Sequence, residues 1–151
     1  MKKLMTLFVI LLVSMSSCIS TKSTIKNIDQ TAVRPFVKNK MFLLTEYAKD
    51  SKYGTDTDYP INIGIINANL EPVFIAYFFN GIEGPKGEKI VFKKIDSCCP
   101  FPSKNSNMGA GLLAVYEANF EGSNKKQIYY FNIYEKGTIA CPKGFLIKKT
   151  S

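Results

Sequence analysis

The sequence contains no histidine and no tryptophan, and its 20 basic residues include a single arginine, Arg34. Each scarcity removes a class of function. Without histidine the chain lacks the side chain that titrates nearest neutral pH, the partner of Ser-His and Cys-His nucleophiles, and the commonest metal ligand. Catalysis would have to run on carboxylates, lysine, tyrosine or thiol. Without arginine forks, sequence-specific reading of base edges loses its usual instrument, and no nucleic-acid partner is expected. Acids are few as well, 12 in all, so the net charge is +8 and almost wholly lysine. Such a surface suits solubility beside an anionic membrane or an acidic glycan. Long apolar runs are scarce too. The longest, Leu4 to Val13 with Thr6 inside it, is about half of the roughly 20 residues that a membrane-spanning helix needs.

That run is informative for what surrounds it. Lys2 and Lys3 precede it, and the small residues Ser14, Ser16 and Ser17 follow it, ending at Cys18. A positive start, a short apolar core and a small-residue exit make a secretory signal, here residues 1–17, which is set aside from fold reasoning. Val13-Ser14-Met15-Ser16-Ser17-Cys18 resembles the lipobox of bacterial lipoprotein processing, with Met15 a less usual residue three before the cysteine. That resemblance implies a diacylglyceryl thioether on Cys18, cleavage before it and acylation of the new amino terminus. Each buried methylene contributes about 0.8 kcal/mol, so two or three chains on one residue would hold the protein on a membrane without spanning it. Residues 18–151 then suit one domain with a genuine core.

Four cysteines are present, Cys18, Cys98, Cys99 and Cys141. With Cys18 lipidated, three remain in an oxidising compartment, and an odd number leaves one unpaired or bonded between molecules. Adjacent Cys98 and Cys99 could bridge each other only through a strained ring, so a bond from one of them to Cys141 is expected. It would close a loop of about 44 residues and stabilise by about 4 kcal/mol on the loop-closure argument.

Along the chain, residues 19–39 are rich in Ser, Thr, Lys and Asn, with Pro35. They read as a flexible tether on Cys18, with a reach on the order of 25 Å. The globular domain is expected to run from Lys40 to the end. Met41 to Tyr47 has strand composition; Asp50 to Pro60 reads as a loop; Ile61, Ile63 and Ile65 alternate as a second strand. Leu70, Val73, Phe74, Tyr77, Phe78 and Ile82 fit helical spacing, with Asn69 as N-cap and Gly81 and Gly84 as stops. Val73 to Phe79 also has strand propensity, and the helix is favoured because the run does not alternate. Gly84-Pro85-Lys86-Gly87 is a turn. A strand follows over Glu88 to Asp96, then a long irregular loop, Ser97 to Gly111. Leu112, Ala114, Tyr116, Ala118 and Phe120 alternate, and Gln127 to Tyr134 is dense in Tyr, Phe and Ile, so the two predict a hairpin. Phe145 to Ile147 reads as a last short strand. The sum is an α+β domain, a small, mainly antiparallel sheet with about one helix.

No motif carries chemistry outright. Ser97-Cys98-Cys99-Pro100-Phe101-Pro102-Ser103 is the most distinctive, but redox cysteines usually stand two residues apart at a helix start. A metal tetrahedron would need further ligands that the sequence does not supply. Asp50, Asp56 and Asp58 with Gly54 miss the spacing of a calcium loop. Met108-Gly109-Ala110-Gly111 leads into a strand, where phosphate cradles need a helix start. The pairs Lys93-Lys94, Lys125-Lys126 and Lys148-Lys149 read as solvated faces. No catalytic residue, metal or cofactor is expected.

From Cys18 to Phe145 the chain resembles a family of small lipoproteins of Bacteroidetes-type bacteria. The resemblance rests on Ser20-Thr21-Lys22-Ser23-Thr24-Ile25-Lys26, Thr45-Glu46-Tyr47-Ala48-Lys49-Asp50, Asp58-Tyr59-Pro60-Ile61-Asn62, the Cys98-Cys99 segment, Met108-Gly109-Ala110-Gly111 and Asn132-Ile133-Tyr134-Glu135-Lys136-Gly137. Some members carry the name 2-dehydro-3-deoxyphosphooctonate aldolase. Enzymes of that chemistry resemble TIM barrels of roughly 250 residues, whereas this chain is shorter and reads as antiparallel. The expectation is therefore a non-enzymatic binding or structural module of the cell envelope, with an envelope protein or glycan as partner. Its membrane contact is the lipid anchor, and Ile19 after the cysteine favours an outer membrane, facing the periplasm. The alternative is a thiol-dependent redox or sensor protein using Cys98 and Cys99, and the aldolase label ranks last.

Overall fold

Why the alternating segments pair as they do is visible in the computed structural model, which describes residues 23–149. The element order is β1 (Val37–Lys38), β2 (Met41–Phe42), β3 (Ile61–Asn62), α1 (Glu71–Asn80), β4 (Ile82–Glu83), β5 (Ile90–Pro102), β6 (Ala110–Phe120), β7 (Gln127–Asn132) and β8 (Leu146–Ile147). The signal and Cys18 lie outside the described residues. The fold is α+β, a mainly antiparallel arrangement with one α-helix among the described residues.

The main sheet has the order β3-β7-β6-β5. Period two sends Ala114, Tyr116 and Ala118 of β6 to one face, where all three are buried. β6 pairs antiparallel with β5 and with β7, the register setting Phe92 opposite Ala118 and Phe131 opposite Ala114. α1 covers this face. Pro72 in its first turn fits the helix start, where its missing N–H costs nothing, and the Gly81 N–H closes the other end on the Tyr77 and Phe78 carbonyls. Phe131, fully buried, has its ring 5.4 Å from both Phe78 and Phe79 and 5.5 Å from Tyr116, each in an edge-to-face arrangement. Such pairs contribute about 0.5–1.5 kcal/mol beyond their burial.

The helix forms where expected, and Phe74, Tyr77, Phe78 and Ile82 of the expected face pack on the core, but the cap differs and the face is shifted. Asn67, not Asn69, does the capping: its side chain accepts from the Asn69 N–H at 3.2 Å, closing a short 3-10 turn, Ala68–Leu70, before the helix. Ile75, Phe78 and Phe79 turn inward, while Leu70 and Val73 are exposed. A helix apolar on most sides presents several stripes that would serve, and the sheet selects among them.

Four further expectations are corrected. Residues 19–39 are not a loose tether throughout. Ile25 is buried with Phe101 and Leu113 on the sheet's second face, the Lys26 N–H bonds the Asp58 carbonyl, and the Asp29 N–H bonds the Lys136 carbonyl. Arg34 donates from Nε to the Ile63 carbonyl at 3.1 Å with its guanidinium 4.7 Å over the Phe74 ring, and β1 pairs with β2. The domain boundary therefore falls before residue 25, not at 40. Of Met41 to Tyr47, only Met41–Phe42 is strand. Of Ile61 to Ile65, only Ile61–Asn62 is strand, and it runs parallel to β7. Gly64 follows at φ +95°, where a Cβ would lie 2.9 Å from Arg34 Nη2, so glycine is required there. Finally, Ser97 to Pro102 is no loop but the continuation of β5. Pro100 and Pro102 are tolerated because β5 is the outer strand of the sheet, where a missing N–H need cost no ladder bond.

Candidate functional site

The cysteines are arranged otherwise than expected. Cys98 is bonded to Cys99, with Cα atoms 3.7 Å apart, and Cys141 is a buried free thiol. The bond to Cys141 is ruled out by the layering. Cys141 belongs to the core under α1, whereas Cys98 and Cys99 pack with Ile25, Phe101 and Leu113 on the other side of the sheet. The adjacent pair can close because the backbone bends to suit it. Cys99 sits at φ +59°, and the β5–β6 register slips between Cys98 and Phe101, the irregularity that frees a strand locally from ladder geometry. Burial pushes the Cys141 thiol up to about 12, far from the range of a reactive thiolate.

Two buried carboxylates went unnoticed in the sequence. Glu135, at the end of β7, accepts from Ser103 Oγ at 2.5 Å, from Gln30 Nε2 at 2.6 Å and from Asn105 Nδ2 at 3.2 Å. It thereby ties the N-terminal segment and the β5–β6 turn to the sheet. Glu71, in the first turn of α1, lies 2.8 Å from Lys94 Nζ and accepts from the Tyr116 hydroxyl at 3.1 Å. Burial first, then the Glu71 charge and hydrogen bond, raise the pKa of Tyr116, so its hydroxyl stays protonated and is a donor. No spacing signal could have found either cluster, since their members are up to 105 positions apart. Among the described residues, every buried side-chain nitrogen and oxygen has a hydrogen-bond partner. Asp50, Asp56 and Asp58 are likewise engaged locally. Asp50 and Asp56 accept from the Lys52 and Asp58 N–H groups, and Asp58 pairs with Lys26 at 3.1 Å.

The feature with the shape of a binding site is an open recess of about 300 Å³ between residues 27–29, 46–50, 53–59 and 138–140. Its floor is rigid. The buried Tyr53 hydroxyl donates to the Thr138 carbonyl at 3.2 Å and accepts from the Ala140 N–H at 3.1 Å, and burial raises its pKa. One side is held by Tyr47 bridging to Cys141, with the Ala48 N–H on the Cys141 carbonyl at 2.8 Å. Tyr47, Tyr59, Asp29, Glu46 and Asp50 bring aromatic and acidic groups to the rim of an otherwise basic protein. The Asp29 carboxyl is held below its usual range by hydrogen bonds from the Thr31 hydroxyl and N–H. Of these residues only Asp50 was weighed in the sequence as a binding group, a calcium-loop ligand, because the recess joins residues 27–29 and 46–59 to the distant 138–140.

The fold and site thus define a small α+β domain with an open recess lined by aromatic and acidic groups and by Lys49. No protein-family model, curated protein or solved structure matches this chain. Among the described residues, no helix is long and apolar enough to cross a membrane.

Proposed function

We infer that this chain is a cell-envelope lipoprotein, anchored by lipid on Cys18 in an outer membrane and facing the periplasm, whose domain is a non-enzymatic module that binds another envelope component. The anchoring part of the reading rests on residues 1–18. The binding part is carried by the recess beside Tyr47 and Tyr59. Aromatic rings pack on the C–H faces of sugars, and carboxylates accept from hydroxyl groups, so Tyr59 with Asp29, Glu46 and Asp50 suits a hydroxylated ligand such as an envelope glycan. The two buried carboxylates support the same reading, because both are engaged in holding segments together. Crosslinking in intact cells followed by pull-down should recover one consistent partner. The variants Glu46→Ala and Tyr59→Ala should lose it while remaining folded and membrane-bound. A chain that is consistently partnerless overturns the binding reading.

A second reading is favoured by one observation, the bond between Cys98 and Cys99, both only half-buried. In a thiol-dependent sensor, two glutathione thiols would reduce this bond. Two electrons and two protons pass to Cys98 and Cys99 as thiols, and glutathione disulfide leaves. Alkylation of the folded protein after mild glutathione treatment should then add two labels. A bond that survives this treatment in the folded state excludes the sensor.

A further inference from the structure

We propose that the turn between β5 and β6, with Met108 at its tip, is a membrane-contacting element that inserts into the leaflet holding the lipid of Cys18. The proposal rests on the anchoring reading above. Its geometric basis is the docked N-terminal segment. Because Ile25 is buried against Phe101 and Leu113, the chain is fixed to the domain from that residue on. Seven residue steps then separate Cys18 from Ile25, and they span at most about 24 Å when fully extended. A headgroup layer of roughly 5–7 Å on one side of the bilayer takes up part of that reach. The end of the domain that carries Ser23 and Ile25 is therefore held within roughly 17 Å of the membrane surface.

That end is the β5–β6 turn. Ser23 lines one open cavity of about 510 Å³ together with Pro102, Ser103, Lys104, Asn105 and Gly109. Next to Gly109, Met108 is 91% exposed, the most exposed of the large hydrophobic side chains among the described residues, and Leu112 is 48% exposed just beyond it on β6. The turn residues from Lys104 to Gly109 include no acid, and Lys104 is exposed. An apolar tip beside a lysine has the chemistry of an interfacial anchor, and the acid that lines the same cavity, Glu135, is buried and bonded to Ser103, Asn105 and Gln30. The methionine enters the acyl boundary and the ammonium stays among anionic phosphates. The turn is also held stiffly enough to matter. Ser103 and Asn105 are fastened to Glu135, and the Ser103 N–H closes on the Gly109 carbonyl at 3.0 Å.

The absence of tryptophan supplies the test. Met108→Trp places a single reporter at the tip. Leu146→Trp places one at the far end, since neighbouring Phe145 packs 5.3 Å from Phe120, which pairs with Ile90 at the start of β5. The two positions are separated by a strand length of about 40 Å. The mature lipidated chain is reconstituted into phosphatidylethanolamine–phosphatidylglycerol vesicles with brominated acyl chains. Intact mass verifies the lipid on Cys18. The Met108→Trp emission should shift to the blue and lose roughly half or more of its intensity, as expected for insertion by 5–10 Å. The Leu146→Trp emission should be unaffected. If the lipid is present and the protein sits on the vesicles, but the tip reporter is unquenched or both reporters are quenched alike, the proposal is overturned and the anchoring stands. If Cys18 carries no lipid, the anchoring reading fails and the proposal falls with it.

Discussion

Ile25→Ala tests whether the N-terminal segment belongs to the domain. Ile25 is 7% exposed and packs with Phe101 and Leu113, with Ile28, Tyr130 and Tyr134 beside them. Truncating a buried isoleucine to alanine costs about 2–5 kcal/mol, from lost transfer energy and the cavity left behind. Ile25 lies in the smaller of two clusters, close to where the docked segment begins, and neighbouring chain can collapse into the gap. The lower end, about 2 kcal/mol, is the expected loss, or on the order of 6 °C in Tm for a domain of this size. Val33→Ala is the matched comparison. Val33 lies in the same segment but is 85% exposed, so its truncation should stay within about 0.5 kcal/mol. Urea titration of the detergent-solubilised mature chain, followed by circular dichroism, reads both. The midpoint should fall for Ile25→Ala at unchanged slope, since the native fold is kept. A flexible tether would make the two variants equivalent, and that equality would refute the docked segment. A third variant separates packing from local backbone effects. Leu113→Ala alone should cost a similar amount. Combined with Ile25→Ala it should cost less than the sum by about 0.5 kcal/mol or more, because the two side chains share one cavity.

Phe131→Ala removes the ring that meets Phe78, Phe79 and Tyr116 and should cost about 3–5 kcal/mol in the same titration; a loss below about 1 kcal/mol would place the core elsewhere. Iodoacetamide should leave the folded, unreduced protein unlabelled, because Cys98 and Cys99 are bonded and the Cys141 thiol is pushed up to about 12. In denaturant without reductant it should add one label, on Cys141, and a label on Cys98 or Cys99 would overturn the pairing. Tyr53, Tyr116 and Tyr129 have their pKa values raised chiefly by burial. The folded state therefore holds these protons more tightly than the unfolded state. The stability this contributes is fully present below the ordinary tyrosine pKa of about 10 and is lost as the pH rises above it. Absorbance at alkaline pH should show these three of the 8 tyrosines ionising only as circular dichroism reports unfolding. All eight ionising together in a protein that is still folded would contradict that.

What the sequence disclosed follows the range of the interactions involved. The hairpin of β6 and β7 was legible because alternation in Leu112 to Phe120 is a property of one segment facing one core. The helix was legible from the spacing of Leu70 to Ile82, and Phe74, Tyr77, Phe78 and Ile82 of that face do pack on the core. The inward turn of Ile75 and Phe79 was not legible, because only the sheet decides which stripe of an almost wholly apolar helix is covered. The parallel pairing of Ile61 with Phe131 was hidden, since the partner lies 70 positions away across a helix and a hairpin. The docked N-terminal segment was hidden differently. Ile25 and Ile28 are two apolar residues in a polar stretch, and composition averages them away. Pro100 and Pro102 argued for a loop because proline is excluded from inner strands, and the edge position of β5 lifts that exclusion. The recess and the Glu135 cluster had no sequence signal at all, being assembled from segments that only the fold brings together.

The docked segment also constrains the partner. Under the tether reading, residues 19–39 would let the domain tumble on the order of 25 Å from the bilayer, and a ligand anywhere in the periplasm could meet its recess. With Ile25 packed, at most seven residue steps lie between Cys18 and the docked chain, and the proposed anchoring would hold the domain end-on through the β5–β6 turn. Asn27 and Asp29 line the recess, and they lie four and six residues beyond Ser23, so no more than about 21 Å of extended chain separates them from it. A lipoprotein anchored at Cys18 would therefore present its aromatic and acidic lining close to the membrane surface. That favours a partner lying at the same level, such as the membrane-proximal part of an envelope glycan, over one that diffuses freely. Lengthening the linker between Cys18 and Ser23 would then leave the anchor and the fold intact, yet lower crosslinking to a surface-bound partner as the recess gains freedom to move away from it.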